Sequence, residues 1–336
     1  MGTGTASAGA TFILGDDQWV SLGLGLRTSF NAEKNGAPNG DDYSKDFRLD
    51  SARIYLNGQF HEYVAATMNT EIDSSNGDAV RVLDAIARFE FNDYVNLWGG
   101  RMLPPSDRSN LDGPFYLNIW DFPAVSAYPA IFAGRDDGVS YWGEYGGGKA
   151  KWQFGAFDGP ATADDTVLWA GRVQYAFWDP EPGYYASSTY FGTKDILTVG
   201  ASAQTQDGNT SWNIDALMEK NVGSIGTFSL EGSYYDYGKL GGLGTPQPGE
   251  TGTDSTGWLL LGGYLLPKKI GIGQPQIVAR YQNGDVDNGP DGDIFDINLN
   301  YIIAEQNAKV NLVYQKPNGG LFGDDDIIRL GVQVQI

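Results

Sequence analysis

The chain has 336 residues, and its 42 acidic and 22 basic residues give a net charge of -20 at pH 7. A nucleic-acid-binding protein needs a basic surface, so this charge excludes that class of partner. The sequence has no cysteine, which excludes disulfide scaffolds and cysteine nucleophiles, and only one histidine, His61. No run of 18 apolar residues is present, so the sequence predicts no transmembrane helix.

Segments of alternating polarity, the pattern typical of β-strands, follow one another along the chain. The clearest is the last, where Ile328, Leu330, Val332, Val334 and Ile336 alternate with small or polar residues. The sixteen predicted strands span residues 19–29, 47–60, 63–72, 80–91, 95–103, 138–145, 149–157, 166–177, 193–205, 210–220, 225–236, 257–266, 276–283, 294–303, 307–315 and 327–336. An even strand number places both chain ends on one side, as bacterial outer-membrane barrels require.

The connections between these strands alternate in length. Short ones are predicted near residues 60–62, 92–94, 146–148, 221–224 and 304–306, and long ones at 30–46, 104–137, 237–256, 284–293 and 316–326. Two connections on the short side, 178–192 and 267–275, are longer than expected. The asymmetry predicts an all-β fold: one transmembrane antiparallel β-barrel over residues 1–336, with short periplasmic turns and long extracellular loops.

Charge is segregated in the same way. The eight segments assigned to the long side hold 24 acidic and 6 basic residues, a net charge of -18, so the rest of the chain carries only -2. A soluble acidic protein has no need to place its charge on one face. This segregation favours a barrel whose loop end is an acidic mouth.

The polar faces of the predicted strands carry charges of both signs, which can line a wet channel in a barrel of this size. The predicted pore-lining bases are Arg27, Arg53, Arg88, Lys151, Arg172, Arg280, Lys309 and Arg329. The predicted pore-lining acids are Glu71, Asp84, Glu90, Glu144, Asp215, Glu219, Glu231 and Asp296. A balanced wall suits small hydrophilic solutes, whereas rings of one sign favour one class of ion.

Tryptophan placement is the next signal. Eight of these residues lie mostly near predicted strand ends or on apolar faces: Trp19, Trp98, Trp142, Trp152, Trp169, Trp178, Trp212 and Trp258. We expect them to form the aromatic girdles of a membrane barrel.

The 34-residue loop 104–137 is the predicted constriction. Connections this long inside compact domains are usually functional. Its charged residues are Asp107, Arg108, Asp112, Asp121 and Arg135, followed by Asp136 and Asp137. Its apolar residues need a packing surface, and the inner barrel wall offers one. The alternatives are a loop that folds over the mouth or against a neighbouring subunit.

Three stretches resemble the phosphate-selective porin O/P family: residues 47–58 (FRLDSARIYLNG), 91–101 (FNDYV through Gly100-Arg101) and 134–139 (GRDDGV). The resemblance covers mainly residues 47–160. It implies a sixteen-stranded trimeric porin whose third loop folds inward, with a basic ladder that guides phosphate. The terminal Ile336 departs from the aromatic residue with which such barrels usually end.

The sequence therefore predicts an outer-membrane porin: a passive diffusion channel for small hydrophilic solutes and ions, weakly cation-biased at its acidic mouth. The alternatives are an anion- or phosphate-selective porin that uses the lumenal Arg/Lys set, and a structural or interaction barrel. An enzyme is not expected, because His61 lies in a predicted short turn and no partner serine motif accompanies it.

The expected partners are outer-membrane lipid, lipopolysaccharide and two further copies of the chain in a homotrimer. No cofactor and no metal are expected. The alternative is Ca²⁺ at Asp285, Asp287, Asp291 and Asp293, which lack EF-hand spacing, or at Asp324, Asp325 and Asp326. Residues 1–6 show no secretory signal, which is consistent with a mature outer-membrane sequence restarted with methionine.

Overall fold

A computed structural model describes residues 9–74, 77, 79–129, 133–244 and 252–336. The predicted mature start at residues 1–6 and parts of the predicted loops 73–79, 104–137 and 237–256 lie outside the described residues. The strands are β1 (Ala10–Ile13), β2 (Trp19–Glu33), β3 (Asp46–His61), β4 (Val64–Ile72), β5 (Arg81–Glu90), β6 (Asn96–Met102), β7 (Asp136–Tyr145), β8 (Ala150–Phe157), β9 (Leu168–Ala176), β10 (Ile196–Gln206), β11 (Asn209–Asn221), β12 (Thr227–Gly238), β13 (Ser255–Leu265), β14 (Gln274–Val286), β15 (Asp291–Ala304), β16 (Ala308–Asn318) and β17 (Ile327–Gln335).

The described part of the chain contains the short helix α1 (Arg108–Asp112) and a 3-10 turn at Gly223–Ile225. None of the helices found there has the length and apolar character needed to cross a membrane.

The sheet closes on itself. Each strand from β2 to β17 pairs antiparallel with its neighbour in the chain, and β17 pairs with β2 from Ile327 opposite Glu33 to Gln335 opposite Gly25. The short β1 pairs with β2 at Trp19–Leu22, beyond the end of β17, so β1 and β17 share one edge of β2. The fold is therefore a closed sixteen-stranded barrel, and the sixteen predicted strands are confirmed; β1, with only four residues, was not predicted.

The strands of the barrel place apolar side chains outside and polar side chains inside, the reverse of the arrangement in a soluble protein. On β2 the leucines Leu22, Leu24 and Leu26 are exposed on the outside, whereas Arg27 and Asn31 are buried on the inside. A closed barrel pairs its backbone groups within the sheet, so an apolar outer face can contact hydrocarbon.

The two ends of the barrel differ as predicted. At the short-turn end lie the connections 62–63, 91–95, 146–149, 177–195, 222–226, 266–273 and 305–307. At the long-loop end lie the connections 34–45, 73–80, 103–135, 158–167, 207–208, 239–254, 287–290 and 319–326. The predicted loop 284–293 is too long, because β14 and β15 stay paired as far as Asp285 opposite Asp291. Ladder hydrogen bonds need no apolar side chain, so polar residues continue these strands.

The buried apolar core of the molecule lies inside the barrel. Near the long-loop end, Val125 of the 103–135 connection packs among Tyr235, Tyr237, Leu243 and Leu259. The prediction that the eight tryptophans named above form outer girdles is wrong for two of them. Trp98 and Trp142 point inward, only 4% and 5% exposed, and the Trp98 ring stacks on Tyr184 at 4.7 Å. Strand alternation places them inside, where the 177–195 connection covers them.

Candidate functional site

The described part of the 103–135 connection lies inside the barrel and carries α1. Asp107 is the N-cap of α1, and its carboxylate accepts from the backbone N of Asn110 and, at 2.6 Å, from the hydroxyl of Tyr235 on β12. Burial raises the pKa of Asp107 to about 6, even though these hydrogen bonds favour its ionised form. The cap therefore ties the helix to the barrel wall.

Basic residues of the predicted inward set hold the backbone of this connection. A buried carbonyl needs a donor, and lysine and arginine on the wall provide one. The bonds are Arg27 Nη2 to Trp120 O at 2.6 Å, Arg172 Nη1 to Ser106 O at 3.0 Å, Arg280 Nη1 to Asp121 O at 2.9 Å and Lys309 Nζ to Leu117 O at 3.1 Å. These bases face inward, and loop backbone covers them.

Acidic residues of the wall also bind this connection, as hydrogen-bond acceptors. Glu231 accepts from the hydroxyl of Ser109 at 3.3 Å, and Asp215 accepts from the backbone N of Arg108 at 3.3 Å. Two ion pairs add to these bonds: Arg280 with Asp296 at 2.8 Å, and Arg329 with Asp121 of the connection. The wall and the connection thus form one hydrogen-bonded unit.

One ion pair of the wall spans a strand. Arg172 on β9 and Asp215 on β11 meet at 2.5 Å across β10, where Gly200 lies between them. A Cβ atom at Gly200 would stand 2.2 Å from Arg172 Nη2 and 2.9 Å from Asp215 Oδ1. A Cβ at this position would therefore crowd the ends of both side chains.

The 177–195 connection also enters the barrel, from the short-turn end. Its Glu181 forms a two-pronged ion pair with Arg108 of α1, at 2.8 and 2.6 Å, and both side chains are at most 1% exposed. Burial alone would raise the pKa of Glu181, but the Arg108 guanidinium outweighs it and holds that pKa at about 2. The two connections therefore meet inside the barrel through a buried, charge-assisted contact.

Three predicted lining residues bind the 177–195 connection. Lys151 Nζ donates to Tyr185 O at 3.0 Å, and Glu144 accepts from the backbone N of Gly183 at 2.7 Å. Glu219 accepts from the backbone N of Tyr190 at 3.1 Å. These side chains face inward, but they support a connection instead of an open passage.

A cavity of about 390 Å³ lies inside the barrel along β2–β7. Six charged residues, three of each sign, border it: Arg53, Asp84, Arg88, Glu90, Asp112 and Arg135. They are largely paired: Arg53 with Glu71 at 2.5 Å, Arg135 with Asp84 at 3.0 Å and Arg88 with Glu90 at 3.4 Å. The rings that border the cavity belong to Trp19, Tyr55, Trp98, Tyr116, Trp142, Tyr184 and Tyr185.

The predicted site residues thus divide into two groups. Arg53, Asp84, Arg88 and Glu90 of the wall and Asp112 and Arg135 of the loop border the cavity. The others bind one of the two connections or pair with a neighbouring side chain. The sequence analysis did not assign Glu181, Tyr184 or Tyr185 to the site. The one signal that pointed to them was the unusual length of the predicted 178–192 connection.

The aspartates considered for Ca²⁺ are spread over several hydrogen bonds in the structure. Among the described residues, no three acidic or histidine side chains gather as metal ligands. Asp285 and Asp291 lie opposite each other on β14 and β15, and Asp293 accepts from Asn318 at 3.0 Å. Asp324, Asp325 and Asp326 accept from Gly319, Asn35 and Tyr314.

His61 is the last residue of β3. Its Nδ1 accepts from the backbone N of Tyr63 at 3.3 Å, which stabilises the turn.

Solved structures share this architecture. Salmonella typhi OmpF in complex with daunomycin matches with a TM-score of 0.64 and 10% identity, over 96% of this chain and 99% of that chain. The anion-selective porin from Comamonas acidovorans matches with 0.60 and 15% identity, over 95% and 100%. A loop L8 deletion mutant of OmpT, an outer membrane protein of Vibrio cholerae, matches with 0.60 and 14% identity, over 96% and 100%. At these identities the similarity shows the fold, the closed antiparallel barrel of the porins.

Neither a protein-family model nor a curated protein sequence matches this chain. The assignment of the fold therefore rests on the structure, and the resemblance to the phosphate-selective porin O/P family rests on the three short motifs alone.

Proposed function

We propose that this barrel is an outer-membrane porin, a passive diffusion channel for small hydrophilic solutes and ions. The observation that carries the proposal is the open cavity along β2–β7, bounded by paired charges inside a barrel whose outer face is apolar. A dry interior would make such charges costly, whereas water in a channel solvates them. The porins among the solved structures share the fold.

The proposed selectivity is a weak preference for cations. Three bases and three acids border the cavity, so the wall itself carries no net charge. The predicted loop segments carry a net charge of -18, and a mouth of one sign raises the local concentration of counter-ions. The bias therefore arises at the mouth.

An anion- or phosphate-selective porin is the second candidate. Arg53, Arg88 and Arg135 all border the cavity, and the motifs at 47–58 and 134–139 resemble the phosphate-selective family. The pairing of each of these arginines with a carboxylate favours the first candidate. A homotrimer, with lipid and lipopolysaccharide as further partners, is part of the same proposal and is supported by the shared fold.

The test is a planar bilayer experiment with the purified chain. We expect stable open channels whose reversal potential in a KCl gradient shows a modest cation preference, and no block by phosphate. Replacing Asp285, Asp287, Asp291 and Asp293 by Asn is expected to shift the reversal potential toward zero. The control changes Asp16 and Asp17, exposed before β2 at the short-turn end, to Asn. Anion preference with phosphate block would favour the second candidate, and absence of conductance would contradict both.

A further inference from the structure

The 177–195 connection approaches the cavity from the end opposite to the 103–135 connection. Several contacts join the two along their length. Arg108 pairs with Glu181 and donates to Ser187 O at 2.7 Å, Asp112 accepts from Ser188, and the hydroxyl of Tyr184 donates to Leu103 O at 2.8 Å. A connection that only joined two neighbouring strands would need none of these contacts.

The wall is also built to receive this connection. Gly148, in the turn between β7 and β8, has a φ of +96°, and a Cβ atom there would stand 2.4 Å from the backbone carbon of Glu181. The backbone N of Glu181 donates to Gly148 O at 3.2 Å. The turn therefore fits against the connection as it bends into the barrel.

The inner part of the connection borders the open space. Tyr184, Tyr185 and Ala186 line the same cavity as Arg53 and Arg88 of the wall. Tyr184 is fully covered by Trp98 and Trp142, whereas Tyr185 and Ala186 are half-buried and reach the cavity. A side chain in this position narrows the cavity from the short-turn end.

We propose that the 177–195 connection is a second constriction element, which sets the solute size limit together with the 103–135 connection. The inference rests on the proposed channel function. The passage runs beside Tyr185 and Ala186 on one side and the paired charges of β3–β5 on the other. It admits small dipolar solutes and excludes those too wide for this gap.

Cysteine modification tests the proposal, because the chain has no cysteine of its own. Ala186→Cys is a small change at a half-buried position. The matched control is Ile270→Cys in the 266–273 connection, which lies at the same end but is 60% exposed outside the barrel. Each variant is reconstituted in a planar bilayer and treated with a cationic and with an anionic methanethiosulfonate reagent, and mass spectrometry verifies the modification.

We expect both reagents to cause a stepwise loss of single-channel current in the A186C channel and none in the I270C channel. We also expect the two reagents to shift the reversal potential of A186C in opposite directions. Verified modification of A186C without loss of current, in a chain whose unmodified form conducts, would overturn the second constriction alone. A wild-type chain that does not conduct would overturn the proposed function, and the inference with it.

Discussion

The connections 177–195 and 266–273 lie at the same end of the barrel, and both are longer than the other turns there. The first is buried inside the barrel, where Glu181 is 1% exposed. The second stays outside: Ile272 is 70% exposed, and Ile270 bonds to Gly273 and to the hydroxyl of Tyr301. The difference shows that length alone does not direct a connection inward. The wall and the 103–135 connection must also offer it partners.

The largest effect is expected from Arg108→Ala, which leaves Glu181 buried without its cation. Removing one partner of a buried ion pair costs about 3–5 kcal/mol. We expect the free energy of unfolding, measured with urea on the barrel in detergent, to fall by this amount. We also expect noisier and larger single-channel currents, because the 177–195 connection loosens. Lys268→Ala in the exposed connection is the control and should change neither. Unchanged currents in R108A would show that the pair does not hold the connection in place.

The raised pKa of Asp107 predicts that the stability of the folded barrel depends on pH. Its pKa rises from 3.8 to about 6 in the folded chain, so its ionised form destabilises the fold. The contribution of Asp107 to the free energy of unfolding is fully present below pH 3.8 and is lost as the pH rises through about 6. At about 1.4 kcal/mol per pKa unit, the loss is up to about 3 kcal/mol.

The measurement compares wild type with Asp107→Asn, which stays neutral, in urea unfolding between pH 4 and 8. We expect the wild type to lose stability relative to D107N as pH rises. Glu181 stays ionised in the folded chain throughout this window, because its pKa is about 2, and only its unfolded form titrates near 4.5. Both chains carry Glu181, so its contribution cancels in the comparison. A stability difference between the two chains that does not vary with pH would contradict the assignment.

Gly148→Ala should displace the 177–195 connection without changing any charged residue. The added Cβ meets Glu181 backbone at 2.4 Å, and overpacking of this kind costs about 1–3 kcal/mol. Gly147→Ala is the matched control, because it also has a positive φ but no atom within 4 Å of its Cβ. We expect only G148A to change the channel conductance. Equal conductance in the two variants would argue against close packing of the turn on the connection.

The smallest effect is expected from Gly200→Ala, which crowds the Arg172–Asp215 pair beneath the 103–135 connection. Because the crowded atoms are the ends of side chains, the cost should fall near the low end of overpacking, roughly 1 kcal/mol. Gly262→Ala, on the outer face with open space around its Cβ, is the control and should be neutral in thermal unfolding. Similar unfolding temperatures in both variants would mean that the pair adapts freely.

The polarity pattern of the sequence is enough to predict the barrel and the orientation of its side chains. Alternation fixes which side chains face outward, so residues such as Leu22 and Arg27 could be assigned to a face without coordinates. The difference between short and long connections predicted the two ends. The four-residue β1 and the extensions of β14 and β15 could not be read in this way, because backbone pairing with a neighbour decides them.

Only the tertiary structure decided which inward residues border open space. Arg53 and Arg172 occupy equivalent positions in the sequence pattern, yet Arg53 borders the cavity and Arg172 holds Ser106 O. The distinction depends on where two connections of the chain lie inside the barrel. Their positions result from contacts such as Arg108 with Glu181, which are 73 residues apart. Local periodicity carries no information about such pairs, so the borders of the cavity can be known only from the folded chain.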